Sequence, residues 1–354
     1  MVCEARQKAM TIAFFTFLAA AIATPDPTIG QERNFGDWAV GCDNGWTCEA
    51  LSLAAEDWSI GDGISLTVRR AGGADGYNRV GLRAMEEIEG DRIALQIDGG
   101  QVAIAERSEG DELFHFDPAI AQNLLYRIAQ GQTAELFDEA GASLGAVSLN
   151  GSRAALLYIE DIQGRAGTVT ASAMVGDEPA STIPEPPAIP TIAAMPVAAR
   201  AEDTAGGLSE SERAALRPAV ECDYGDEDPL SNRAVVLSDT ADLVLISCSR
   251  GAYNFSDIAF VRQNGTLTPA RFDHVFSWGE DRKMPFLVNT YWDPEEGTLS
   301  TYAKGRGLGD CGTAESFVWD GEMFRLTERR EMNNCRGSIH WITVYRANVE
   351  WVNP

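Results

Sequence analysis

Residues 305–312 read GRGLGDCG, with Arg306, Asp310 and Cys311 set among four glycines. A glycine-rich loop holds phosphate when its amides converge and it opens onto a helix N-terminus. The residues that follow, TAESFVWDGEMF, have the pattern of a hairpin, and the chain contains no G-x-x-x-x-G-K-[ST] string. The glycines therefore read first as positive-φ turns and close backbone approaches beside a cysteine. A second reading stays open. If Cys311 bonds Cys335, then Arg306, Asp310 and Arg336 are held near one another, and two guanidinium groups flanking one aspartate could take a carboxylate or phosphate bidentately. The same three residues could equally form a network that satisfies the loop's own polar groups.

Other strings pose similar choices. In CSRGAYN, residues 248–254, Arg250, Tyr253 and Asn254 follow a buried strand and its cysteine. They serve either as caps for turn backbone or as a ligand surface. DYGDEDPLSN, residues 223–232, gathers oxygen ligands of the kind calcium prefers, but its spacing departs from the EF-hand loop, so a solvated acidic loop is expected. G-x-S-x-G occurs once, as GASLG at residues 141–145, but within the hairpin expected around DEAGAS and not at a strand-to-helix elbow, and H-E-x-x-H does not occur. His274 lies in RFDHVFSWGED close to Asp273 and Ser277, yet neighbours on a strand point to opposite faces, so nearness in sequence does not make a triad. His340 beside Trp341 is expected to pack at a strand edge. No spacing singles out a carboxylate pair for glycoside chemistry. With three histidines in the chain and no C-x-x-C, neither a histidine-rich metal site nor a zinc ribbon is expected. The sequence thus nominates no catalytic residue, no metal site and no cofactor.

The cysteines tell more once the first residues are read. MVCEARQKAMTIAFFTFLAAAIATPDP opens with Arg6 and Lys8, runs apolar from Met10 to Ala23 and ends on the small-x-small string Ala21-Ile22-Ala23. That is the pattern of a signal peptide over residues 1–23, cleaved before Thr24, with an uncleaved anchor as the alternative. Cleavage would remove Cys3 and leave Cys42, Cys48, Cys222, Cys248, Cys311 and Cys335, an even set in a chain expected to be periplasmic or secreted. Cys42 and Cys48 flank a turn-rich loop that a local bridge closes easily. The other four allow three pairings. Cys222 with Cys248 and Cys311 with Cys335 are favoured because each encloses a segment of hairpin length, and each would contribute on the order of 3 kcal/mol in the chain-entropy model. Structural cross-linking is therefore the expected role.

Charge narrows the partners. Lys and Arg number 28 against 53 Asp and Glu, a formal net charge of −25. Such a surface repels nucleic acid and anionic lipid. No later stretch approaches 18 uninterrupted apolar residues, so no membrane insertion is expected after cleavage.

Two regions flank a break. From Gly176 the chain reads GDEPASTIPEPPAIPTIAAMPVAARAEDTAGG, and residues 176–207 are expected to be an extended Pro/Ala-rich linker. In residues 31–175, NFGDWAVGC nominates Phe35, Trp38 and Val40 for a core. ISLTVRR, NRVGLRAM, DRIALQID and QVAIAER read as strands between Gly and Asp turns. FDPAIAQNLLYRIAQG predicts a helix capped by Asp117, with Ile120, Leu124, Leu125 and Ile128 on one face, and a second short helix starts near Ser152. In residues 208–354 a short helix leads, with Ser209 and Glu212 as a capping box. Hairpins follow, carrying Trp278, Trp292, Trp319, Trp341 and Trp351. The fold class predicted is mainly β: two antiparallel β-rich, sandwich- or barrel-like domains with a few short helices, disulfide-bonded.

CSRGAYN, GRGLGDCG, and the following FVWDGEMFRLTE and CRG together resemble the bacterial periplasmic six-cysteine family called domain of unknown function 1176, over nearly the whole mature chain. FGDWAVGCD and VSLNGSRAAL, residues 147–156, resemble the invasion-associated locus B proteins over the first domain. The first resemblance implies export and the six cysteines, and it assigns no catalytic residues. The second implies an exported β-rich domain.

The function expected is that of a non-catalytic binding or interaction protein of the bacterial envelope, with an unknown protein or a small anionic ligand as partner. An envelope hydrolase acting on glycan or ester substrates is the alternative; it would show as a cleft lined by two carboxylates, or a serine beside His274 or His340. An inhibitor of a lysozyme-type enzyme is a third reading and would show as a protruding acidic loop.

Overall fold

Alternation between apolar and polar residues, broken by glycine and aspartate turns, builds a mainly β chain with three α-helices among the described residues. The computed structural model describes residues 29–56, 63–100, 102–108, 113–198, 205–216, 222, 232–274 and 286–352. The leader 1–23, the acidic run 223–231, Ser277 and Trp278 lie outside them.

The first half supplies β1 (Arg33–Phe35), β2 (Trp38–Cys42), β3 (Cys48–Ser52), β4 (Ile64–Arg70) and β5 (Asn78–Ala84). β6 (Arg92–Ile97), β7 (Val102–Arg107) and β8 (Leu113–Phe116) lead into α1 (Pro118–Gln130). β9 (Thr133–Phe137), β10 (Ser143–Ser148) and α2 (Ser152–Ile162) complete it. The ten strands form one sheet in the order β1-β2-β3-β4-β5-β8-β7-β6-β9-β10, and every neighbouring pair is antiparallel. The sheet curls until the end of β10 reaches the start of β2. There Trp38 Nε1 donates to Ser148 O at 3.0 Å, and Ser148 Oγ donates to Asp37 Oδ2 at 2.7 Å.

NFGDWAVGC is a hairpin rather than one strand, because Gly36 takes φ 55° and turns Phe35 back onto Trp38. Trp38 and Val40 enter a core shared with α1 and α2, and Phe35 packs at its margin. α1 is capped as its sequence predicts, with Asp117 Oδ1 accepting from Ala119 N at 2.8 Å. Its buried stripe is Ala121, Leu124, Leu125 and Ile128. Ile120, expected on that face, is 38% exposed; it sits one position outside a stripe running i, i+3, i+4, i+7.

Residues 176–198 lie along both halves. β11 (Thr191–Ala194) runs parallel to the last strand, β22 (Asn348–Trp351), with Asn348 N donating to Pro190 O at 2.8 Å and Met195 N to Trp319 O at 2.8 Å. α3 (Glu210–Leu216) opens on the capping box: Ser209 N donates to Glu212 Oε2 at 2.7 Å and Glu212 N to Ser209 Oγ at 3.3 Å.

The rest of the second half is two five-stranded antiparallel sheets. One holds β12 (Asn232–Val236), β13 (Ala241–Arg250), β14 (Phe255–Gln263), β15 (Thr266–Pro269) and β16 (Phe286–Val288). The other holds β17 (Tyr291–Asp293), β18 (Thr298–Lys304), β19 (Gly312–Trp319), β20 (Phe324–Met332) and β21 (Ile342–Arg346). Leu243, Leu245 and Val261 of the first sheet share a core with Leu299, Phe317, Trp319, Phe324 and Leu326 of the second, which makes a sandwich. Val244, Ile246, Cys248 and Phe260 on the outer face pack under Leu208 and Leu216.

The other outer face meets the first half. Ala314, Met332, Trp341, Ile342 and Val344 pack against Ala39, Leu51 and Leu53. β2 and β3 are therefore buried on both faces, which is why all five residues of each are buried. Three disulfides join Cys42 to Cys48, Cys222 to Cys248 and Cys311 to Cys335. No helix among the described residues is long and apolar enough to cross a membrane.

Candidate functional site

Where the two halves and the segment 186–193 come together they leave a cleft of about 820 Å³. Its first wall is the Cys42–Cys48 loop. Asp43 Oδ1 accepts from Gly45 N at 2.8 Å and Thr47 N at 2.9 Å, and Trp46 N donates to Asp43 O at 3.0 Å. This turn holds Trp46 at φ 58°, a left-handed conformation costly for a bulky residue. The buried Gln163 amide fixes it further by donating to Trp46 O at 2.8 Å. The second wall is α2, which presents Tyr158 and Ile162. The third is the proline-rich strap, with Pro187, Pro190 and Ile192. The strap lies so close to the first wall that a Cβ on Gly45 would come 2.3 Å from Ile189 Cδ1.

The remaining end of the cleft is polar and belongs to the second half: Tyr345, Asp273, Asp320 and Arg325. Asp320 Oδ1 accepts from Glu322 N at 2.8 Å and Met323 N at 2.7 Å, while Oδ2 lies 2.5 Å from Arg325 Nε. It is a turn-forming counter-ion. Asp273 Oδ1 accepts from Leu326 N at 2.9 Å, and its Oδ2 lies 3.8 Å from Arg325 Nη1, beyond hydrogen-bond reach. Burial pushes the Asp273 carboxyl up from its ordinary value, and the Leu326 amide and Arg325 recover part of that shift. Burial also raises the Tyr345 phenol, with the Asp273 charge adding to it.

The residues nominated from sequence lie elsewhere and make other partners. Arg306 donates twice to Asp310, from Nε at 2.7 Å and from Nη2 at 2.5 Å. Asp310 is fully buried and also accepts from Gly337 N at 2.9 Å; burial raises its carboxyl, but these bonds outweigh that and leave it below its ordinary value. Arg336 does not join them. It reaches across to the first half, where Nη2 donates to Asp37 Oδ1 at 2.8 Å and Nε to Ala54 O at 2.6 Å. The two-guanidinium grip on one aspartate is thus not formed, and the glycine-rich loop is an internally satisfied corner beside the Cys311–Cys335 bridge. The two quoted motifs do meet. Tyr253 Oη donates to Gly305 O at 3.1 Å, Asn254 Nδ2 to Lys304 O at 2.9 Å, and Arg250 stacks over Phe255 at 5.8 Å.

His274 Nε2 lies 2.9 Å from Glu315 Oε1 and 2.9 Å from Arg329 Nη1. The His340 ring faces Glu49 at 3.4 Å. Ser338 touches His340 through its main chain, with Oγ donating to the carbonyl at 3.0 Å. Neither histidine therefore activates a serine hydroxyl among the described residues. Sequence reasoning passed over Trp46, Tyr158, Arg325 and Tyr345. The one local signal was a tryptophan among the five residues between Cys42 and Cys48, a costly place for a large ring.

These features define a class: a disulfide-bonded, mainly β protein whose halves enclose a part-apolar cleft with carboxylates at one end. The chain belongs to the family described as "Protein of unknown function (DUF1176)", whose model matches residues 32–348. A relative, "Uncharacterized protein YpfG" of Escherichia coli strain K12, is 30% identical over 370 residues, covering 96% of this chain and 99% of the relative. Among solved structures, "invasion associated protein b" from Bartonella henselae aligns with 38% of this chain and 99% of its own, at 19% identity and a TM-score of 0.29.

Proposed function

We propose that this chain is an exported, non-catalytic binding protein of the bacterial envelope and that the cleft between its halves is the ligand seat. The observation that carries this reading is the cleft: about 820 Å³ walled by Trp46, Tyr158, Ile162 and Ile192 and closed at one end by carboxylates. Three disulfides suit an oxidising compartment and support export. A hydrolase would draw on Asp273 and Asp320. In Asp320 both oxygens are already taken, by Arg325 and two turn amides, which leaves neither free to act on a substrate or a water.

Two measurements test the proposal. Release of the mature protein by osmotic shock, with residues 1–23 removed, is expected; retention as a full-length membrane-bound chain refutes export. The neutral apolar dye N-phenyl-1-naphthylamine should brighten on the wild-type protein and much less on Ile192→Trp, which fills the cleft. Equal brightening on both removes the cleft from consideration.

A further inference from the structure

The ligand's chemistry follows from the charge and the rings of the cleft, and it rests on the cleft being the binding seat. We infer that the cleft takes an organic cation, an ammonium group carried on an apolar body, with its charged head at Asp273 and its body along Trp46, Tyr158 and Ile192.

Three carboxylates line the cleft, Asp43, Asp273 and Asp320, against one guanidinium, Arg325. Two of the three are already matched. Asp43 takes the amides of Gly45 and Thr47 on one oxygen and the Arg346 guanidinium on the other. Asp320 takes two turn amides and the Arg325 Nε–H. Asp273 is different. One of its oxygens is bonded to the Leu326 amide at 2.9 Å. The other has its nearest cationic nitrogen 3.8 Å away, on a guanidinium that makes its close contact, at 2.5 Å, with Asp320. A mostly buried carboxylate whose second oxygen has only the long, 3.8 Å approach of a shared guanidinium favours an incoming cation over an anion or a neutral group.

The walls select in the same direction. Trp46, Tyr158 and Tyr345 line the same space, and the faces of such rings attract ammonium groups, most strongly where water is displaced. Ile162, Pro187, Pro190 and Ile192 offer apolar surface for the body that carries the charge. The whole-chain charge of −25 adds a field that draws cations toward the protein and repels anions. A small anion, the ligand chemistry the sequence brought to mind, has no seat in this cleft. The arginine pair that motivated it is divided between Asp310 and Asp37.

The test is a fluorescence titration of the disulfide-intact mature chain at low ionic strength with three probes sharing one dansyl body: dansylcadaverine, dansylamide and dansylglycine. Dansylcadaverine should bind saturably with a blue shift. Dansylamide should bind at least tenfold more weakly, and dansylglycine more weakly still. Asp273→Asn keeps the oxygen that accepts from Leu326 and should cost dansylcadaverine at least tenfold while leaving dansylamide unchanged. Ile192→Lys places a competing cation on the strap without touching Asp273, so it reports even if Asp273→Asn fails to fold; it should cost dansylcadaverine tenfold as well. Equal affinity for the three probes overturns the cation assignment while the cleft remains a seat for apolar molecules; dansylcadaverine affinity untouched by whichever substitutions fold overturns it as well. Failure of all three probes to bind the wild-type protein overturns both.

Discussion

Glu32 gives the sharpest energetic prediction. It belongs to the chain leading into β1, yet apart from Asn34 its partners lie in the second half. Its carboxylate accepts from Asn333 N at 2.6 Å and from Asn334 Nδ2 at 3.3 Å, and its own amide donates to Glu331 Oε1 at 2.7 Å. Both glutamates are nearly buried. Burial, with a smaller push from the Glu331 charge, raises the Glu32 carboxyl from 4.5 to about 7, and the hydrogen bonds from Asn333 and Asn334 only partly oppose this. At about 1.4 kcal/mol per pH unit, that displacement corresponds to about 3 kcal/mol. The folded state holds the proton more tightly than the unfolded state. The stability this group contributes is therefore complete below pH 4.5, falls as pH rises toward 7 and levels off above it. Glu32→Gln keeps a carbonyl for the Asn333 amide and removes the titration. Urea unfolding of both proteins at half-unit steps from pH 4.5 to 8 should show near-equal stability at the acid end and a variant more stable by up to about 3 kcal/mol at pH 8. Taking the difference between variant and wild type cancels the groups that titrate the other way, such as Glu212, which the Arg262 guanidinium holds down at about 2. A difference that stays flat with pH, or a variant less stable at pH 8, would refute the reasoning.

Two further predictions test the packing. Asp310→Asn removes the charge of a buried carboxylate paired with a partly exposed Arg306 while keeping an oxygen for the Gly337 amide, and urea unfolding should register a loss on the order of 1–2 kcal/mol; a neutral result would show that the corner at 305–312 does not depend on that pair. Gly45→Val puts side-chain atoms where Ile189 packs, so the strap should lift: limited proteolysis within residues 183–198 should speed up, and N-phenyl-1-naphthylamine binding should fall, whereas unchanged proteolysis would contradict the close fit.

What the sequence made legible was local. The Asp117 cap and the Ser209–Glu212 box each depend on residues within four positions of one another, and a single chain displays such spacing openly. The hairpins of the second half were legible for the same reason: Asn264-Gly265 and Asp320-Gly321 sit between strands that pair with each other. What stayed hidden depended on distant partners. Ala39, between the nominated core residues Trp38 and Val40, and Leu51 are covered by Met332 and Ile342, roughly 300 positions away in the chain. Thr191–Ala194 follows a run of prolines that reads as coil, and its partner β22 supplies the order it lacks alone. Arg336 stands next to Cys335, which invited a place beside Arg306; the bridge fixes only the backbone, and the side chain turns to Asp37 instead. The cleft is the extreme case. Trp46, Tyr158, Ile192, Asp273 and Tyr345 come from five separate segments, so no window of sequence contains it.

The most direct measurement is a crystal structure of the mature protein grown with dansylcadaverine. Density for the dansyl ring between Trp46 and Ile192, with the terminal amine within hydrogen-bond distance of Asp273 Oδ2, is the predicted result. A cleft filled only by solvent while the probe sits elsewhere on the surface would contradict it.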